Sequence, residues 1–399
     1  MTGKINVHNN WDPLEEIWLG DCWPKSFYDD LDPEVRDNFH QITECTKEDL
    51  AEIQKKFEEF GVTVRRPVID ESKRELYTVN EQSNILLKPP ICPRDTHGVI
   101  GNKLFVGGDL PACYEPMYKH YDPSEVYRPD NSKNIPMVIG ANTVKLGKDI
   151  IFDHIFDNHM DIRVGTLDTR KEGIFKKFKK FEEQEGAMFG KDYRLHFSTE
   201  GGHLDGCYMP VNDHLVLTTE YIDDYDTILP NWKTIGINSP SYKAETIDPA
   251  RAGHFHQRTY QNKWYGNFVG LMDLAPAHFN RYIKEYCADW VGNYKETYFE
   301  VNVVPIDDKN LICIDSSGLF DDLFIELENQ GITCHTVPWR TRGFWDGGIH
   351  CITLDVRRRG ELTDYFPERK DTGIKTVKNR FFYDTESFFK EYDIWKSQL

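Results

Sequence analysis

At 399 residues, with 39% hydrophobic, 29% charged and 13% aromatic side chains, the chain can bury a large core and is too apolar for extensive disorder. Its formal net charge is −18 and no basic run exceeds the three arginines Arg357 to Arg359, which argues against a nucleic-acid partner and suits a cationic small molecule. The nine cysteines include no CxxC pair, so zinc-ribbon and thioredoxin-type sites lack their ligands, and a reduced protein with no metal and no cofactor is expected.

The opening segment MTGKINVHNNWDPLEE shows neither an apolar signal nor an Arg-rich transit pattern. No apolar run approaches the ~18 residues of a membrane span, so a soluble, cytoplasmic protein without a membrane partner is expected. The run LEEIWLGD from Leu14 reads as a strand. Thr46 to Phe60 reads as a helix: Thr46 and Asp49 match a capping box, Leu50, Ile53, Phe57 and Phe60 share one face, and Gly61 stops it before the strand VTVRRP.

Four later segments repeat a polar turn followed by a short apolar run: GNKLFVGG from Gly101, GKDIIFD from Gly147, NDHLVLTTE from Asn212 and DKNLICID from Asp308. Each reads as the return strand of a hairpin. The helix–glycine–strand grammar recurs in LFDDLFIELENQ, Gly331 and ITCHTVP, and more faintly in PNWKTIGINSP, before the final strand CITLDV. The unit strand, hairpin, helix, glycine, strand is thus expected about five times, in one domain over 1–399. Residues 243–298 interrupt the rhythm and read as an insertion; His254 and His256 within it read as structural or surface residues.

Three segments carry candidate chemistry. Cys351 lies at the mouth of an apolar strand just after Gly347 and Gly348, where a substrate could approach the backbone. His203 and Asp205 are expected on one face of an extended strand, aimed into one cavity. Asp95 follows Pro93 and precedes the first repeated hairpin, a setting equally typical of a turn carboxylate. No Walker A loop, dinucleotide fingerprint, Gly-x-Ser-x-Gly elbow or HExxH helix occurs.

Taken together, WDPLEE at Trp11 to Glu16, PRD at Pro93 to Asp95, DYRLHF at Asp192 to Phe197, HLD at His203 to Asp205 and the HC and DVRRRG motifs between Gly348 and Gly360 resemble the amidinotransferases of the guanidino-group-modifying superfamily, glycine amidinotransferase above all. The resemblance implies an α/β fold, a five-bladed α/β-propeller (pentein) with pseudo-fivefold repeats. It also implies transfer of the amidino group of L-arginine to a small primary amine such as glycine, releasing ornithine. Cys351 would be the nucleophile, His203 the general acid and base, and Asp95 and Asp205 the guanidinium carboxylates. The partners are then a guanidino donor and an amine acceptor, with a homodimer left open. Hydrolysis of the same intermediate, as in arginine deiminase or dihydrolase relatives, and an inactive guanidino-binding propeller are the alternatives.

Two positions depart from the family pattern. The aspartate that orients the histidine aligns with Ile139, in VIGAN at Val138 to Asn142, so Glu200, or else Asp149 or Asp153, is the expected substitute. The arginine that pairs with the donor carboxylate aligns with Ile222.

Overall fold

The structure, a computed structural model, describes residues 4–78, 85–107, 112–128, 138–152, 176, 179, 192–197, 203–206, 208–218, 229–236, 301–315, 321–345, 347–369, 375–376, 390 and 393–399. The expected insertion at 243–298 lies outside them. Among the described residues the class is α/β, and the strands fall into five small sheets with a shared plan. In each, an antiparallel pair is extended by one parallel strand.

Strands β1 (Leu14–Leu19) and β2 (Thr63–Arg65) pair parallel, and β1 also pairs antiparallel with β15 (Thr353–Arg358), so segments far apart in sequence share one sheet. Strands β3 (His97–Ile100), β4 (Lys103–Val106) and β5 (Val126–Tyr127) repeat the plan, as do β6 (Thr143–Leu146), β7 (Asp149–Phe152) and β8 (Arg194–Phe197). So do β9 (Tyr208–Asn212), β10 (Leu215–Thr218) and β11 (Lys233–Gly236), and β12 (Val304–Pro305), β13 (Asn310–Ile314) and β14 (Thr333–Val337). A short strand β16 (Lys375–Thr376) adds to β8. The four repeated polar-turn segments are the second strands of four of these hairpins, as their sequence pattern predicts.

The first helix differs from its expected start. It spans Pro33–Glu59, with proline in its first turn, where a missing N–H costs nothing. The Thr46 to Asp49 pattern therefore does not cap it. Both residues are buried mid-helix, in one stripe with Val35, Phe39, Ile42, Leu50, Ile53 and Phe57. The Thr46 hydroxyl donates to the Ile42 carbonyl and accepts from the Trp345 indole at 2.8 Å, while Asp49 accepts from the backbone and guanidinium of Arg340. The helix thus holds the segment leading into Cys351.

The glycine stops are as expected. At the end of Pro33–Glu59, Gly61 N–H reaches the Glu58 carbonyl and Val62 N–H the Phe57 carbonyl. After the helix Asp321–Asn329, Gly331 and Ile332 make the same pair of bonds to Glu328 and Leu327. Gly61 and Gly331 have φ of +78° and +82°, the left-handed conformation this ending requires.

Three tight turns meet near the start of β15. They are Pro93–Asp95, Gly140–Asn142 and Leu204–Gly206, with the middle turn packed against both others. Two of them carry the aspartates singled out in the sequence, and all sit beside the Cys351 segment. Among the described residues no helix is long and apolar enough to cross a membrane.

Candidate active site

Cys351 is buried at the approach to β15, where hydrogen bonds hold the backbone groups around it. One side chain organises them: Asn302 Oδ1 accepts the backbone N–H of both His350 (2.8 Å) and Cys351 (2.9 Å). Its Nδ2 donates to the Asp205 carbonyl at 3.0 Å, tying the two segments together. Gly348 of the glycine pair serves this asparagine. A Cβ on Gly348 would lie 2.5 Å from Asn302 Oδ1, so this glycine admits the asparagine.

The Asp205 carboxylate joins the nucleophile segment directly. Its Oδ2 accepts from His350 Nδ1 at 2.8 Å and lies 3.6 Å from Cys351 Sγ. Burial works to raise the Asp205 carboxyl, but the His350 hydrogen bond and the nearby Arg94 charge outweigh it and hold the group below its usual range. Burial, reinforced by Arg94, pushes His350 down to about 4, so the pair is an ionised Asp205 accepting from a neutral imidazole. Asp205 Oδ1 is buried and has no hydrogen-bond partner among the described residues.

The Asp95 side is looser. Its Oδ2 pairs with Lys88 Nζ at 2.7 Å, and Oδ1 is buried without a hydrogen-bond partner among the described residues. His203 Nδ1 lies 3.8 Å from that oxygen, an ion-pair distance rather than a hydrogen bond. His203 and Asp205 do not share a strand face. Leu204–Gly206 is a turn that sends Asp205 inward and leaves His203 half-buried beside Asp95.

Beside these residues lies a buried charge cluster built from Arg94 of the PRD motif, Asp355 and Arg358 of the DVRRRG motif, and Lys145. Arg94 Nε donates to the carbonyls of His350 (3.0 Å) and Thr353 (2.9 Å), on either side of Cys351. Its Nη2 pairs with Asp355 at 2.7 Å, and Lys145 (3.1 Å) and Arg358 (3.0 Å) share that carboxylate. Burial opposes the Asp355 charge, but these three cations outweigh it and hold its carboxyl far below the usual range.

Cys351, Asp205, His203 and Asp95 are therefore brought together, whereas Glu200, Asp153 and Ile222 lie outside the described residues. Asp149 is corrected as a partner for His203: its carboxylate is held by Arg194 (2.6 Å), His196 (2.7 Å) and Arg369 (2.7 Å). Ile139 is buried in extended backbone just before the turn that packs on the Asp205 turn, so this segment presents an apolar side chain there. Asn302, His350, Arg94 and Lys88 were not singled out from sequence. His350 and Arg94 sit inside the HC and PRD motifs, and Asn302 belongs to no motif at all.

No family model matches the chain. It is 21% identical over 411 residues to inosamine-phosphate amidinotransferase 1 of Streptomyces glaucescens, covering 90% of this chain and 99% of that protein. It is 24% identical over 393 residues to the mitochondrial glycine amidinotransferase of Danio rerio, covering 91% and 85%. Among solved structures, an amidinotransferase of Microseira wollei from the saxitoxin biosynthetic pathway superposes with a TM-score of 0.56 at 17% identity, over 91% of this chain and 99% of that one. The chain thus shares the fold of these amidinotransferases, α/β and propeller-like. Over about nine-tenths of its length the chain is thus similar in sequence to amidinotransferases.

Proposed function

We propose that the chain moves the amidino group of L-arginine through a covalent Cys351 intermediate to a small primary amine such as glycine, releasing ornithine. One observation carries this reading: Asp95 Oδ1 and Asp205 Oδ1 are both buried without a hydrogen-bond partner among the described residues, and Asp205 lies beside the thiol. Leaving such an acceptor unmet costs about 1–3 kcal/mol, and a guanidinium would supply N–H donors to both. The five sheets would then be the blades of a pseudo-fivefold propeller in a single cytoplasmic domain, closed by β1 and β15.

The chemistry follows from the charges. Two carboxylates fix the guanidinium, and its positive charge favours thiolate at Cys351. The sulfur attacks the guanidinium carbon, the C–N bond to ornithine breaks, and His203 protonates the departing amine. His203 then takes a proton from the incoming amine, which attacks the same carbon as the C–S bond breaks and the thiolate returns. Asn302 and Arg94 keep the Cys351 backbone in place throughout, while Asp205 also orients His350.

The test is incubation with L-arginine alone, with glycine, and with an inosamine phosphate. Mass spectrometry should find ornithine together with guanidinoacetate, or with the amidinated inosamine. Citrulline would assign hydrolysis instead, and failure to form any protein adduct with arginine would overturn the covalent reading.

A further inference from the structure

We infer that Cys92 and Cys351 form a peroxide-driven disulfide, reversible by thiols, that closes the site. The two residues are far apart in sequence but border one small space. A Cβ placed on Gly347 would lie 3.1 Å from Cys92 Sγ, 2.9 Å from Cys351 Cβ and 3.8 Å from Cys351 Sγ. Glycine at 347 leaves that space open, and the sulfurs can be no further apart than the two sulfur distances together. Both cysteines are buried, at 4% and 1% exposure, so a Cys351 oxidised there meets the Cys92 thiol before it meets a bulky reductant.

Cys92 precedes the Pro93–Asp95 turn, so the bridge would clamp the nucleophile segment to the turn that carries Asp95. In the first step the Cys351 thiolate attacks a peroxide oxygen: an S–O bond forms, the O–O bond breaks, and hydroxide leaves. Cys92 sulfur then attacks the sulfenic sulfur, forming S–S and breaking S–O. The hydroxide that leaves takes the Cys92 proton as water. Two thiols are oxidised and one peroxide is reduced to two waters.

The reactivity of Cys351 belongs to the proposed function, but the bridge is read on the protein itself. Reduced full-length protein is treated with equimolar hydrogen peroxide, alkylated and digested. The expected result is a mass lower by two hydrogens and a Cys92–Cys351 cross-linked peptide, with activity lost and then restored by dithiothreitol. Cys92→Ser should keep activity within about twofold before oxidation. After oxidation it should recover less than about a tenth of it, because the sulfenic acid runs on to irreversible products.

The wild-type peptide map decides the question even if the variant folds poorly. A bridge confined to another pair, such as the neighbouring Cys313 and Cys334, would overturn the inference, as would equal recovery of Cys92→Ser and wild type. Adduct formation with arginine and no peroxide reports the nucleophile separately, so failure of one reading leaves the other measurable.

Discussion

The two aspartates proposed to grip the substrate stand in opposite environments. Asp205 is buried at 1% exposure and bonded to His350, with its own carbonyl held by Asn302. Asp95 has 16% of its side chain exposed, pairs with the partly exposed Lys88, and meets His203 only at 3.8 Å. One wall of the site is preorganised and rigid. The other holds its charge against a flexible ammonium that an incoming cation can displace. In the proposed reaction, fixing one carboxylate while leaving the other adjustable would keep the reacting carbon aligned with the thiol and still let substrate in.

Removing Cys351, the proposed nucleophile, should have the largest effect. Cys351→Ala should reduce turnover to background, and the amidino adduct seen on wild-type protein with arginine should vanish from the intact mass. An adduct persisting in the variant would move the nucleophile elsewhere.

The two walls should separate next. Asp205→Asn and Asp95→Asn should each lower kcat/KM by orders of magnitude, since each removes a charge from the cation. Only Asp205→Asn should also destabilise the protein, by about 1–3 kcal/mol, through the buried His350 contact. Loss of the partly exposed Lys88 pair from Asp95 should cost about 0–1 kcal/mol. Equal thermal shifts in the two variants would erase the contrast between the walls.

Lys88→Met should act on binding alone. Without its ammonium against Asp95, KM for arginine should fall about threefold at unchanged kcat, as steady-state kinetics would show. A drop in kcat instead would place Lys88 in the chemistry.

Acid should weaken the rigid wall first. His350 has a pKa near 4 in the fold against its ordinary 6.5, so on acidification the unfolded chain takes up that proton first. This contribution to stability is whole above about pH 6.5 and is lost as the pH falls toward 4. The lowered Asp205 carboxyl works in the same direction below its usual range. Thermal midpoints should fall across that window, and His350→Asn should flatten the decline.

Much of the architecture could be read from local pattern. The polar turns before β4, β7, β10 and β13, and the glycines after both long helices, are short-range devices whose backbone demands are visible in a few residues. The start of the first helix escapes local pattern because Thr46 and Asp49 imitate a cap. Their burial against Trp345 and Arg340 depends on a segment about three hundred residues away.

By itself the sequence determined the hairpin units, the helix stops and the identity of Cys351, His203, Asp95 and Asp205 as candidates, because motif and periodicity are properties of neighbouring residues. Only the tertiary structure decided how those candidates are held. Asn302 bridges the Cys351 and Asp205 segments, Arg94 grips the carbonyls on either side of the thiol, and Lys88 sits on Asp95. It also committed Asp149 to Arg194, His196 and Arg369, away from the role its place in the sequence suggested. Hydrogen bonds and ion pairs between distant segments require a folded chain to bring donor within about 3 Å of acceptor, and no local pattern records that distance.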